Sequence, residues 1–308
     1  MKFFFFTDPT LGDWILDALE SRKNPPIGIV VCEEMSTYCQ RICHYADRFN
    51  IPVFYAGQDM RSDAFVRWCR MLNADVFVAF GFGRKIPPEI LALPTFGVLN
   101  VHPSLLPSYR GAAPCFWAIR NGETESGATI HLMDDTFDTG DILLQKSEPI
   151  YPNDTAGTLQ QRLMVKGAEL LIDVLENVPM WLRNRRRQDQ RDIYEAPRVN
   201  SQHLEIKWCQ SAVAIECLIR AANPHPIAHT TFEGLRIGIV EADALEKNHC
   251  FLPGEFQLDG DALIVGTGKG ILKARVIQIN PLISGTPSRV LWHFTRGVFD
   301  AGQARQFL

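Results

Sequence analysis

The sequence predicts an α/β fold, a Rossmann-like and mainly parallel sheet followed by a small C-terminal antiparallel β-barrel of OB-like type. Over the first 150 residues, short apolar runs alternate with amphipathic stretches, the pattern of strands joined by crossover helices. After Pro226 the pattern changes to alternating segments punctuated by glycine, as in small antiparallel barrels. At 308 residues the chain also exceeds the roughly 100–200 residues usual for one domain. The expected division is a first domain at 1–180, a linker at 181–200 and the barrel at 201–308.

In the first domain, Lys2–Phe6, Ile27–Val31, Pro52–Tyr55, Val76–Phe80 and Gly97–Val101 read as buried strands rich in Phe, Val and Ile. Between them Trp14–Leu19, Thr37–Phe49 and Ala64–Leu72 carry helical spacing. Ala128–Met133 and Ile142–Glu148 add two strands. A long helix then runs from Ala156 to Glu176, with a cap at Asp154 or Thr155. Pro179–Asn200 contains Arg, Gln and Pro without periodicity, as a connection does. In the barrel, Ala212–Ala222 is helical, and Thr230–Phe232, Arg236–Glu241, Gly254–Leu258, Ala262–Thr267 and Ile271–Ile279 are strands.

Composition excludes several classes. The chain is 46% hydrophobic and 21% charged, a water-soluble globular balance. The apolar opening at Lys2–Phe6 ends at Thr7-Asp8-Pro9, too short for a signal peptide or a span, so no membrane partner is expected. Cysteines 32, 39, 43, 69, 115, 209, 217 and 250 are scattered and read as reduced thiols of a cytoplasmic protein. Cys39 and Cys43 suit one helix face, but no histidine or second cysteine pair has zinc-like spacing, so no metal is expected. Formal net charge is −4, and residues 196–308 hold eleven Lys and Arg against ten Asp and Glu. Neither is the basic excess of a protein that grips phosphates. The run Arg183, Arg185, Arg186, Arg187 and Arg191 lies among Asn, Gln and Asp and reads as a solvated linker.

A sheet of this type invites a nucleotide reading. The turn after the first strand is Phe6-Thr7-Asp8-Pro9-Thr10-Leu11-Gly12, which lacks the GxGxxG glycines and sets Asp8 where a pyrophosphate would lie. GxxxxGK[ST] and GxSxG are absent too.

The chemistry concentrates at Phe96–Gly111, FGVLNVHPSLLPSYRG. Asn100 and His102 are two apart at the carboxyl end of a strand, so their side chains share a face, and ligands bind at that end of open α/β sheets. Pro103, Pro107, Gly111 and Pro114 make the following loop rigid and irregular. Asp138 then lies in a turn-rich segment, Asp134–Asp141, between two strands. An imidazole, an amide donor and a carboxylate suffice for acyl transfer to an amine.

The motif Asn100-x-His102-Pro103-Ser104-Leu105-Leu106-Pro107, with Arg110-Gly111 after it and Asp138-Thr139-Gly140-Asp141 downstream, strongly resembles the folate-dependent formyltransferase family. Members act on methionyl-tRNA, on glycinamide ribonucleotide and on amino-sugar nucleotides. The resemblance covers residues 1–180. The tail, with Arg220-Ala221-Ala222-Asn223-Pro224-His225-Pro226 and Gly266-Thr267-Gly268-Lys269-Gly270, is similar to the small barrel of the tRNA enzyme and some sugar enzymes. The resemblance implies 10-formyltetrahydrofolate as co-substrate. His102 would assist proton removal from the attacking amine, Asn100 would hydrogen-bond the formyl oxygen, and Asp138 would fix His102 and help pass the proton on. The pterin would lie against Phe82, Gly83, Arg84, Lys85 and Ile86 and against Met133, Asp134, Asp135 and Thr136. Lys85 departs from the aliphatic residue expected there, so its side chain must point away from the ring. Ser104, Leu105, Tyr109 and Arg110 would meet the acceptor, although Arg110 equally suits bracing its own loop.

The tRNA enzymes carry a basic insertion after the second strand. The stretch here is Val31-Cys32-Glu33-Glu34-Met35-Ser36-Thr37-Tyr38, short and acidic, which opposes phosphate binding. The expected acceptor is therefore a small molecule, an amino-sugar nucleotide, with no nucleic acid partner; methionyl-tRNA is the alternative. A hydrolase of formyl-folate and a silent folate- or nucleotide-binding module are alternatives from other classes. The oligomeric state is open, a homodimer included.

Overall fold

Four consecutive phenylalanines, Phe3–Phe6, lie wholly inside the protein, which an alternating half-exposed strand could not achieve. In the structure, a computed structural model describing residues 1–21, 25–32, 39–56, 60–189, 193–280, 283–291 and 296–299, they form the central strand β1 (Phe3–Thr7). Phe3 and Phe5 point into one core and Phe4 and Phe6 into another, as the twofold strand period requires.

The chain divides into two compact units. The first comprises Met1–Pro114, Glu125–Pro149 and Gln160–Pro197. After β1 come α1 (Pro9–Ser21), β2 (Ile29–Val31), α2 (Gln40–Phe49), β3 (Val53–Tyr55), α3 (Asp63–Leu72), β4 (Val76–Phe80), α4 (Pro88–Leu91) and β5 (Val98–His102). Then follow α5 (Pro114–Arg120), which from Cys115 on belongs to the second unit, β6 (Glu125–Leu132), β7 (Ile142–Pro149), α6 (Ala156–Glu176), whose residues to Leu159 belong to the second unit, and α7 (Val178–Arg183). The strand order is β3-β2-β1-β4-β5-β6-β7. The strands from β3 to β5 are parallel, while β6 and β7 run antiparallel. This is the mainly parallel sheet that the sequence predicts.

Helices cover both faces. Ile15, Leu19, Ile42 and Tyr45 of α1 and α2 join Met164, Ala168 and Leu171 of α6 on the Phe3–Phe5 side. Phe65 and Cys69 of α3 and Ile90 of α4 close the other. Where α6 crosses β5 only glycine fits, because a Cβ on Gly167 would meet Val101 Cγ1 at 2.4 Å. The sheet reverses its direction of growth between β1 and β4, and the carboxyl ends of β4 and β5 lie beside that point, where open sheets bind ligands. The cap of α6 uses both expected residues: Thr155 Oγ1 accepts from Thr158 N at 3.2 Å and Asp154 Oδ1 from Thr158 Oγ1 at 3.0 Å.

The second unit comprises Cys115–Thr124, Ile150–Leu159 and Arg198–Leu308. It holds α8 (Ala212–Ala221) and an antiparallel sheet of β8 (His229–Phe232), β9 (Leu235–Leu245), β10 (Glu255–Asp259), β11 (Ala262–Gly266) and β12 (Ile271–Asn280). Short β13 (Ile283–Gly285), α9 (Pro287–Val290) and β14 (Arg296–Val298) complete it. The order is β14-β10-β11-β12-β9-β8, with β13 on β12. The sheet curls into a half-barrel around Trp208, Phe232, Phe256 and Phe299, whose rings pack at 4.5–6.1 Å.

Two sequence expectations meet the structure differently. Residues 181–189 and 193–197, expected within a linker, group with the first unit. The acidic stretch at Glu33–Glu34 and the start expected for α2 at Thr37 lie outside the described residues. Among those described, no helix is long and apolar enough to cross a membrane, and no group of three or more His, Cys, Asp or Glu is placed to hold a metal.

The account of the core is testable at Phe5, which packs against Phe80 at 6.3 Å with no exposed surface. Phe5→Ala is expected to cost about 3–5 kcal/mol through lost burial and an unfilled cavity, read as a lower urea midpoint. A cost under about 1 kcal/mol would show that the Phe3–Phe5 core is not close-packed.

Candidate active site

Asn100 and His102 leave the carboxyl end of β5 on one face, and antiparallel β6 sets His131 opposite Asn100 and Thr129 opposite His102. Asp138 enters from the turn between β6 and β7, in the left-handed region at φ 56°, a conformation that only a firmly held non-glycine residue keeps. The turn is built on Asp134. Its Oδ1 accepts from Thr136 N at 3.0 Å, Thr136 Oγ1 at 2.9 Å and Thr139 Oγ1 at 2.7 Å. The two threonine hydroxyls also meet each other.

These four side chains form one network. Asn100 Nδ2 donates to Asp138 Oδ1 at 3.2 Å and to His131 Nε2 at 3.1 Å. His131 Nδ1 donates to the Leu132 carbonyl at 2.7 Å, which leaves its Nε2 as the acceptor for Asn100. Gly111 N donates to Asp138 Oδ2 at 2.9 Å. His102 Nε2 donates to the Tyr109 carbonyl at 2.9 Å, so the Nδ1 lone pair of the neutral ring faces Asp138 Oδ2 at 3.6 Å. His102 therefore accepts a proton at Nδ1, and the imidazolium so formed would lie between a carbonyl and a carboxylate.

Burial lowers the pKa of His102 below 6.5, with Asp138 and the Tyr109 carbonyl opposing. At Asp138 burial acts upward, but the positive charge that His102 and His131 carry when protonated, together with the Gly111 N–H, outweighs it and holds the carboxyl well below the usual carboxylate range. At neutral pH the pair is a neutral imidazole beside an ionised carboxylate. Of the four residues His131 is the one not expected from sequence. Its only signal was a histidine two residues from Thr129 on the same face of the strand Ala128–Met133.

The loop after His102 is tied down along its length. Thr129 Oγ1 donates to the Ser104 carbonyl at 2.6 Å, and Gln145 Nε2 donates to the Leu106 carbonyl at 2.9 Å. Ser104, expected to meet the acceptor, is buried and gives its hydroxyl to the Ser108 carbonyl at 2.7 Å. Leu105 lies over Gly127. Tyr109, also left-handed at φ 63°, stacks on Tyr194 at 5.8 Å. Arg110 donates from Nε and Nη2 to Gln188 Oε1 at 2.9 and 2.6 Å, the bracing role. Gly111 has φ +117°, and a Cβ there would meet the Ala196 carbonyl oxygen at 2.6 Å, so no other residue could deliver this N–H to Asp138.

The two loops expected to hold the pterin lie together. Phe82 and Met133 pack against the core cluster that contains Ile86. Lys85 extends over the Phe137 ring of the facing loop, 6.0 Å from its centroid. A Cβ on Gly83 would meet nothing within 4 Å. Arg84 is half-buried, while Asp134, Asp135 and Thr136 are exposed.

Fold and site thus define an α/β protein with a buried histidine beside a carboxylate at its strand ends. The formyl transferase family model matches residues 3–175, and the model of the formyl transferase C-terminal domain matches residues 198–282. The methionyl-tRNA formyltransferase of Pelotomaculum thermopropionicum is 40% identical over 236 residues, 76% of this chain and 75% of the relative. That of Geobacter metallireducens is 36% identical over 235 residues, with shares of 76% and 75%. Two solved structures share the fold. The N-formyltransferase from Helicobacter canadensis, solved with folinic acid and dTDP-3-aminofucose, has a TM-score of 0.65 at 19% identity, covering 89% of this chain and 98% of its own. HypX from Aquifex aeolicus, solved with tetrahydrofolic acid, has a TM-score of 0.65 at 19% identity, covering 94% of this chain and 46% of its own. The chain belongs to the formyl transferase family, and its reaction is transfer of a formyl group.

The electrostatics predict a titration. The His102 imidazole, followed by NMR, is expected to inflect below pH 6.5, and Asp138→Asn to move the inflection lower by removing the charge that favours the imidazolium. An inflection at or above 6.5, or an upward move in the variant, would contradict this reading.

Proposed function

We propose that the chain transfers a formyl group from 10-formyltetrahydrofolate to the amino group of methionine carried on tRNA. The pterin fits the open space at Gly83, with Phe82 and Met133 as apolar walls and loop backbone as polar partners. The amine nitrogen bonds to the formyl carbon, the bond from that carbon to the folate nitrogen breaks, and the proton lost by the amine ends on that nitrogen. His102 Nδ1 takes the proton, and Asp138 stabilises the imidazolium until the proton is passed on. Asn100 donates to the formyl oxygen as charge grows there, exchanging for it one of its two bonds to His131 and Asp138.

The observation that carries the acceptor is the place of the arginine run. Arg185 Nε bonds Asp141 Oδ2 at 2.9 Å, three residues beyond Asp138, and the Arg186 backbone pairs with Ile142. Arg183 and Arg187 stand exposed on the same segment. A cationic strip beside the catalytic turn suits a polyanion, and the relatives of 36–40% identity named above support the same choice. An amino-sugar nucleotide, the acceptor expected from sequence alone, is the second reading. The net charge of −4 and the charge balance of residues 196–308 favour it, since one or two arginines satisfy a pyrophosphate.

Charged initiator tRNA and a panel of nucleotide-linked amino sugars, each with labelled 10-formyltetrahydrofolate, separate the two. Formyl-methionyl-tRNA is the expected product, and its KM is expected to rise steeply with salt. The double variant Arg183→Ser/Arg187→Ser is expected to make that log–log slope shallower by roughly 0.7–0.9 per arginine. Formylation of a sugar nucleotide with none of the tRNA would establish the second reading. In either assay His102→Asn and Asp138→Ala are each expected to lower kcat by about 10²-fold or more; near-normal turnover in both would remove them from the chemistry.

A further inference from the structure

Residues 176–197 fall between the two regions that the family models match. Their composition reads as a connection, yet Arg186, Gln188 and Ala196 bond the catalytic loops and the strand beside them. Gln188 is 6% exposed, and its amide reaches both loops at once. Oε1 accepts from Arg110 Nε and Nη2, and Nε2 donates to the carbonyls of Asp138 at 2.8 Å and Gly140 at 2.7 Å. The partners fix the orientation of the amide. Reversed, it would set its NH2 against a guanidinium and its oxygen against two carbonyls.

Each partner leads directly to a reacting group. Arg110 lies between Tyr109, whose carbonyl holds His102 Nε2, and Gly111, whose N–H holds Asp138 Oδ2. The Asp138 carbonyl is the backbone of the left-handed residue itself. The neighbours of Gln188 act alike. The Arg186 backbone pairs with Ile142, and Arg186 Nη2 bonds Gln145 Oε1 at 2.7 Å. The Ala196 N–H bonds the Arg110 carbonyl at 2.6 Å. Because Asp138 acts on His102 across 3.6 Å, a small shift of either loop changes how strongly the carboxylate supports the imidazolium.

We infer that Gln188 is a positioning residue for formyl transfer, its single amide clamping the His102 loop to the Asp138 turn and so setting the distance between imidazole and carboxylate. The inference rests on the roles given to His102 and Asp138, and it is independent of the acceptor.

The test uses the full chain carrying Gln188→Glu or Gln188→Ala. The glutamate keeps an acceptor for Arg110 but has no N–H for the two carbonyls, so it is the less disruptive of the pair. Both are expected to lower kcat, Gln188→Glu on the order of 10²-fold, as a misplacement of about 1 Å does. KM for the formyl donor should stay within about threefold of wild type, since uniform binding is untouched. The His102 inflection should move below the wild-type value as the carboxylate recedes, a readout that needs no acceptor. A kcat within about twofold of wild type in folded Gln188→Glu, or a fallen kcat with an unmoved His102 inflection, would overturn the inference. Should Gln188→Ala fail to fold, Gln188→Glu alone decides. If His102 titrates normally and its replacement leaves turnover intact, the catalytic reading fails instead, and the two failures are distinct.

Discussion

A carboxylate taken out of water must regain from the protein the hydrogen bonds that it gave up, and Asp138 does so at both oxygens. The Asn100 amide and the Gly111 N–H donate to it, and two imidazoles lie within 3.6 Å. Those partners come from β5, β6 and the loop after β5, so the carboxylate joins the segments that the chemistry needs. Held in a left-handed turn, Asp138 keeps its place only because the surrounding bonds outweigh its backbone strain. The network is consequently both the anchor of the turn and the source of its electrostatics.

The rest of the architecture serves to deliver those partners. Parallel strands bring the ends of β4 and β5 to one edge, and the antiparallel return of β6 puts His131 across from Asn100. Gly111 admits the close approach of the Ala196 carbonyl, which lets Glu195 and Ala196 pair with the catalytic loop at Arg110. A buried polar network is stable only when every member is satisfied. The amide of Gln188 and the hydroxyls of Ser104 and Thr129 meet that demand. Those bonds hold the loop rigid before any substrate arrives, and preorganisation of this kind is what electrostatic catalysis requires.

Much of this was legible in the sequence where the cause is local. Phe3–Phe6 could only be a strand buried on both faces, and Asn100 and His102 share a face by the twofold period alone. The glycine-punctuated segments after Pro226 emerge as the strands of the curled sheet. What escaped is nonlocal. Gln188 meets Arg110 from 78 residues away, and nothing in a stretch of Arg, Gln and Asp announces such a partner. His131 alternates correctly with its strand, but a lone histidine there is silent until β5 is paired beside it. The arginine run reads as solvated, and Arg183, Arg185, Arg186 and Arg187 are exposed. Its bonds to Asp141, Ile142 and Gln145 depend on a path that the chain takes only after folding.

The central claim is that Asp138 is an ionised carboxylate kept so by its neighbours while His102 beside it is neutral. The most direct measurement is a carbon-13 NMR titration of the Asp138 carboxyl, assigned by its disappearance in Asp138→Asn. The account predicts a carboxylate signal that holds from neutral pH through the ordinary aspartate range near 3.8 without titrating. A carboxyl that takes up its proton at or above that value would contradict it, because the network would then hold a neutral acid that cannot stabilise an imidazolium.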